Sequence, residues 1–178
     1  MKIRQTVSRL WTDRQGLAGM EFAILAPVLL ALLLGSVTLA LEFRDSKTAG
    51  RAASIIGDVI SRETTVDDDY LETCYKLFQN ITGRSASAIR FRVTSVKKSA
   101  GSYQIAWSYA VAPAKAMTTA ELAKQTLPLV SDNDSLIIVE TSVENEPLST
   151  FVPLEFPATN SFIAERPRFT AAIAKTDG

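Results

Sequence analysis

From Phe22 to Leu41 the chain runs for 20 residues, FAILAPVLLALLLGSVTLAL, without one charged side chain. At ~1.5 Å of rise per residue such a helix is about 30 Å long, the thickness of a bilayer's hydrocarbon core. A buried helix of a soluble domain would rarely carry no polar side chain beyond Ser and Thr over that length. The pattern predicts a transmembrane helix over about 22–41. Helical periodicity then continues, because Ala49, Ala52, Ala53, Ile56, Val59 and Ile60 recur at three- and four-residue spacing while Arg51, Asp58 and Arg62 fall on other faces. This extension is amphipathic, and its stripe of small apolar residues is suited to lie on a globular domain. Gly50 and Gly57 lower its helix propensity and mark bends or close contacts. A break is expected at Ser61 to Val66.

A second helix is predicted from Asp67 to about Ile81, with Thr65 as candidate N-cap. Asp67, Asp68 and Asp69 put negative charge at the positive end of the helix dipole. Leu71, Cys74, Phe78 and Ile81 form its apolar face and Gly83 ends it. From residue 88 the period changes to strict alternation. Ile89, Phe91 and Val93 alternate with Arg90, Arg92 and Thr94, and Tyr103 to Val111 alternate likewise, which predicts an antiparallel hairpin turning over Lys97 to Ser102. A short helix is expected from Thr119 to Gln125, a turn at Ser131 to Asp134, and a third strand through Ile137, Val139, Thr141 and Val143. The stretch marked by Pro147, Pro153 and Pro157 suits an edge strand or extended loop, and Phe169, Ala171 and Ile173 suit a last strand. Helices first and strands later, with short connections, define an α+β fold with a small antiparallel sheet.

Composition narrows the chemistry. The 178 residues balance 19 basic against 19 acidic side chains and include no His and one Cys. Without His, neither a Ser-His-Asp triad nor a Cys-His dyad nor a His-ligated zinc can be built. One cysteine forms neither an intramolecular disulfide nor a multi-cysteine metal site. Cys74, on an apolar helix face with no base near it in sequence, reads as a small buried residue. The Asp67–Asp69 triplet and the Ser131–Asp134 turn lack the further ligands of a cation loop, so no metal or cofactor is expected. The charges of Arg90, Arg92 and Lys97 are the solvated side of one strand, and no nucleic-acid partner is expected.

Charge is unevenly placed. Residues 1–16 carry Lys2, Arg4, Arg9 and Arg14 against Asp13 alone, a net of +3. By the positive-inside rule this places the N-terminus in the cytoplasm and the C-terminal domain across the membrane. The apolar run is too long for a secretory signal peptide, and Thr38-Leu39-Ala40 is a poor cleavage site. A carboxylate, Glu21, stands directly before Phe22, and Gly16 lies five positions upstream of it.

The stretch Arg14-Gln15-Gly16-Leu17-Ala18-Gly19-Met20-Glu21-Phe22 resembles a prepilin-type processing site. The wider run to Leu34, with Leu25-Ala26-Pro27-Val28-Leu29-Leu30, resembles the TadE/TadG-like minor pilins of the tight-adherence (Flp-type) pilus systems. Glu165-Arg166-Pro167-Arg168 before Phe169 is similar to the Arg-Pro-Arg end of that family. The resemblance implies a leader over 1–16, cleavage by a prepilin peptidase between Gly16 and Leu17, and Glu21 as the fifth mature residue. It also implies partners among the other pilus subunits, the inner membrane and its secretion platform, with no small-molecule substrate. Glu21 would pair with the α-amino group freed at Leu17 of another chain, since either ion alone is penalised in low dielectric. Pro27 would bend the span, because it removes a backbone donor. The implied organisation is a leader (1–16), a transmembrane and amphipathic helix (17–63) and an extracytoplasmic α+β domain (64–178). Against this non-enzymatic minor pilin stands a signal-anchored binding or sensor module of the bacterial envelope. The two part at Gly16, since only the pilin-like subunit is shortened there.

Overall fold

The computed structural model describes residues 15–145 and 156–176, with side chains of the first helix from Gly19 onward. The basic leader residues Lys2, Arg4, Arg9 and Arg14, the side chain of Leu17, and the prolines Pro147 and Pro153 lie outside the described residues. Helix α1 is a single element, Gln15–Ser61, that includes Pro27. The chain divides into two compact units, and within α1 the division falls between Leu41 and Glu42.

In the first unit α1 has no apolar partner of its own among the described residues. Every large apolar side chain from Met20 to Leu39 is 42–71% exposed. The two hydroxyls of the run are satisfied inside the helix: Ser36 donates to the Leu33 carbonyl and Thr38 to that of Leu34, both at 2.8 Å. This helix is long and apolar enough to cross a membrane.

The second unit is α+β. After α1 come a two-residue strand β1 (Thr65–Val66), helix α2 (Asp68–Thr82), strands β2 (Ile89–Ser99) and β3 (Ser102–Val111), the one-turn helix α3 (Thr119–Leu122), β4 (Ser135–Val143), β5 (Thr159–Glu165) and β6 (Ala174–Lys175). Four strands form an antiparallel sheet in the order β3-β2-β4-β5. Phe91 stands between Val111 and Thr141 across the ladders, and Val93 between Tyr109 and Val139.

One face of the sheet carries the main core. Ile89, Phe91, Val93, Ile137, Val139 and Val143 pack against Ala49, Ala52, Ala53, Ile56 and Ile60 of α1 and Leu71, Cys74, Tyr75 and Phe78 of α2. The Phe91 ring lies 5.6 Å from that of Tyr75 and 5.9 Å from that of Phe78, in tilted aromatic geometry. Gly57 sets the approach of α1 to the sheet, because a Cβ there would stand 3.2 Å from Ile163 Cγ2 and 3.3 Å from Glu165 Cγ. The sequence signal at Gly57 is therefore a close contact. On the opposite face Val96, Leu136 and Ile138 form a smaller core with Met117, Leu122 and Val130 from the segment that carries α3.

Several boundaries differ from expectation. The N-cap of α2 is Asp67, whose carboxylate accepts the Tyr70 N–H at 2.7 Å, while Thr65 is committed to β1, paired in parallel with β6. The C-cap is Gly83 at φ 65°. The hairpin turn is shorter than the six residues expected. Only Ala100 and Gly101, both at positive φ, separate the strands, the two-residue geometry whose twist matches that of a hairpin. Helix α3 ends at Leu122 rather than Gln125, after a capping box between Thr118 and Glu121. The alternation of Phe169, Ala171 and Ile173 does not make a strand. Phe169 is 72% exposed, Ile173 is buried, and the chain bends between them. Thr170 bonds to the backbone of Ala172, and such local side-chain bonds compete with a ladder. The strand begins only at Ala174.

Candidate functional site

Gly16, Leu17 and Glu21 all lie in the first turns of α1. Leu17 and Glu21 are four residues apart, a spacing that places both positions on one helix face about one turn from each other. Glu21 is exposed, and among the described residues no cation forms an ion pair with it. Pro27 sits within the helix, where its missing N–H leaves the Ala23 carbonyl without its helical donor.

The Arg-Pro-Arg segment near the C-terminus has a structural use that sequence alone did not indicate. Arg166 pairs with Asp134 in the turn before β4, and Arg168 pairs with Asp58 of α1. The Arg168 backbone N–H also donates to the Ser61 carbonyl at 2.8 Å. Asp58 is shared, since Arg62 one turn on reaches it at 2.7 Å. Both arginines thus tie the segment after β5 to the end of α1 and to the sheet.

On the sheet face opposite α1 an open pocket of about 470 Å³ is lined in part by Arg90, Arg92, Glu121, Glu140, Asn160 and Phe162. Arg92 is the most extensively bonded of these side chains. Its Nε donates to Glu140 at 2.6 Å, and its Nη1 to Glu121 at 3.1 Å and to the Lys115 carbonyl at 3.2 Å. The backbone N–H at Thr118 and the nearby guanidinium hold the Glu121 carboxyl below the usual range. Two carboxylates converge here, but both are committed to one guanidinium. The arrangement fastens the α3 segment to the sheet and leaves neither carboxylate as a free proton acceptor. Separation in sequence, 92 against 121 and 140, hid this cluster from pattern reading.

Cys74 is buried, with its thiol pushed up to about 11 chiefly by burial and then by the negative charge of Glu63. Tyr70 donates to Glu63 at 3.1 Å. A thiol so placed stays protonated at neutral pH and serves packing. Of the aspartate triplet, Asp67 caps α2 and Asp68 meets Lys175 at 2.8 Å. Among the described residues no group of three or more His, Cys, Asp or Glu side chains is placed to hold a metal ion.

The features that remain are those of α1: an apolar helix with a carboxylate at its start, leading into a stripe that packs on an α+β domain. Residues 16–55 match the family model described as TadE-like protein. No curated protein and no solved structure matches the chain. The first helix is therefore similar to that of TadE-like proteins, and its N-terminal half is long and apolar enough for single-pass membrane anchoring. The matched segment spans both halves of the helix, ending one residue before Ile56.

Proposed function

We propose that the chain is a non-enzymatic minor pilin, or pseudopilin, that acts in assembly of a tight-adherence (Flp) type pilus. It is inserted in the inner membrane by α1, with its N-terminus in the cytoplasm and its α+β domain in the periplasm. A prepilin peptidase cuts between Gly16 and Leu17. The single observation that carries the reading is the exposed Glu21, without an ion-pair partner among the described residues, at the start of a helix whose apolar side chains face outward all round.

Cleavage would make Leu17 the helix N-terminus and give it an α-ammonium group. Leu17 and Glu21 differ by four residues, about 6 Å of helical rise. An ammonium on one chain that meets Glu21 on its neighbour fixes an axial offset of about one turn between two helices. In low dielectric that pairing is specific, because each ion left alone bears a desolvation cost. Pro27, six residues on, supplies a place where the packed helices can bend.

Intact-mass analysis of the membrane-extracted protein tests this directly. The mature chain should lack residues 1–16 and begin at Leu17. Gly16→Leu should leave the leader attached. Glu21→Val should leave processing and insertion intact while assembly falls by tenfold or more, the scale set by one uncompensated buried charge. A chain that keeps Met1 in cells with an active peptidase would point instead to an anchored binding module. Wild-type piliation with Glu21→Val would remove the pairing role.

A further inference from the structure

Arginines in this protein divide into two groups. Every described arginine from Arg62 to Arg168 has a carboxylate within ion-pairing distance, including Arg84 on Asp45 at 2.7 Å and Arg92 on Glu140 at 2.6 Å. Among the described residues Arg44 and Arg51 of α1 have none, and neither has Lys47 between them. The Lys47 ammonium lies instead 5.2 Å from the centre of the Phe43 ring. These three cations follow the apolar run by three, six and ten residues. At about 100° per residue they fall within about 60° of one another around the helix.

Lys47 and Arg51 also border a groove of about 720 Å³ between this face of α1 and the start of β5, where Phe43, Ser54, Thr159 and Ser161 join them. Among the described residues no carboxylate lines it, although residues 42–178 carry two more acidic than basic side chains. The pocket on the other sheet face, by contrast, has its guanidinium saturated by Glu121 and Glu140. The groove thus joins unneutralised cations and hydroxyl groups, with a 66% exposed aromatic ring, Phe43, at the end nearer the apolar run.

We infer that Arg44, Lys47 and Arg51, with the hydroxyl-lined groove beside them, bind the headgroup of an anionic glycerophospholipid in the leaflet at the C-terminal end of the span. This rests on the reading of residues 22–41 as membrane-spanning. Helical side chains lean toward the helix N-terminus, so these cations incline toward the apolar run. Arg44 and Lys47 stand about 5 and 9 Å beyond Leu41 along the helix, within the depth of a headgroup layer. A phosphodiester takes the ammonium and guanidinium charges, and a glycerol headgroup suits the Thr159 and Ser161 hydroxyls. Phe43 is placed as an interfacial anchor.

The test uses the full chain in nanodiscs of phosphatidylcholine containing a minor share of phosphatidylglycerol. After gentle detergent release, native mass spectrometry reads the ratio of the two lipids retained. The wild type should retain phosphatidylglycerol well above its share. R44Q/K47Q/R51Q should return the ratio to the bulk value, with about a fivefold loss per cation. The charge-matched control K97Q/K115Q/K124Q, whose lysines lie elsewhere in the domain, should keep the enrichment. If the wild type and R44Q/K47Q/R51Q retain equal ratios while both co-purify with the discs, the headgroup site is wrong and the span stands. If the chain does not associate with the discs, the spanning reading fails and the site fails with it.

Discussion

Within one helix, Leu29, Leu30 and Leu33 are 57–58% exposed while Ala52, Ala53 and Ile56 are fully buried. The residue types do not explain this, since the more apolar half is the exposed one. Arrangement does. From Phe22 to Leu41 apolar side chains occupy every face, and one sheet can cover only one face of a helix. From Ala49 to Ile60 they form a stripe, with Arg51, Ser54 and Ile55 left outside it, and a stripe is what a sheet covers. An all-round apolar helix needs apolar surroundings on all sides, which a bilayer or a set of neighbouring helices provides. The second half needs no such help. Its partners are Phe91, Val93, Val139 and the inner face of α2.

The sharpest test of this contrast makes a comparable truncation on each side of the division. Ile56→Ala removes a fully buried side chain and should destabilise the α+β domain by about 2–5 kcal/mol. Leu30→Ala removes one that is 57% exposed and should shift the same transition by less than about 0.5 kcal/mol. Denaturant unfolding of the full chain in detergent, followed by Trp107 fluorescence, reads both, because the Trp107 indole N–H is held by the Ile173 carbonyl at 2.8 Å. Equal effects would mean that the two halves of α1 are not energetically separate.

The glycines of the second half sharpen the comparison further. A Cβ at Gly57 meets Ile163 and Glu165 at 3.2–3.3 Å, whereas one at Gly50 meets only Ser161 Oγ at 3.9 Å. Gly57→Val should therefore push α1 off the sheet and cost about 1–3 kcal/mol by overpacking. Gly50→Ala should be neutral or stabilise by up to about 1 kcal/mol through helix propensity. Thermal melts of the two variants should move in opposite directions or differ by several degrees.

What could be read from sequence follows the range of the interactions involved. The long apolar helix, the stripe, α2 and the β2–β3 hairpin rest on patterns of neighbouring residues, and all are present. β4 begins two residues earlier than its apolar alternation because Ser135, its first residue, is held through its hydroxyl on the Ala171 carbonyl at 2.8 Å. The β1–β6 pair was invisible because two residues carry no period and their partners lie over a hundred positions apart. The Arg92 cluster and the Asp58 junction were hidden for the same reason. Each is an ion pair between distant segments, and charge alone does not name its partner. Of the candidate site, the order Gly16, Glu21, apolar run was legible because it lies within one short stretch. The cation groove beside β5 was not, since one wall of it, Thr159 to Ser161, comes from a strand more than a hundred residues away.

The smallest expected effect concerns how the domain closes its own helix ends. Asp67 accepts the Tyr70 N–H and Gly83 returns its own N–H to the Gln79 carbonyl at 2.9 Å, so both ends of α2 are satisfied locally. Asp67→Ala leaves the Tyr70 donor to water and should cost about 1 kcal/mol; Asp67→Asn keeps an acceptor and should cost less. Helix α1, by contrast, has no acidic residue in its first turn and no basic residue in its last, and its end is held by Arg168 from a remote segment. If Asp67→Ala destabilises the full chain as predicted while leaving membrane insertion unchanged, the domain is folded by its own contacts. A loss of insertion in the same variant would mean that the two units depend on each other for stability, and the separation drawn at Leu41 and Glu42 would have to be abandoned.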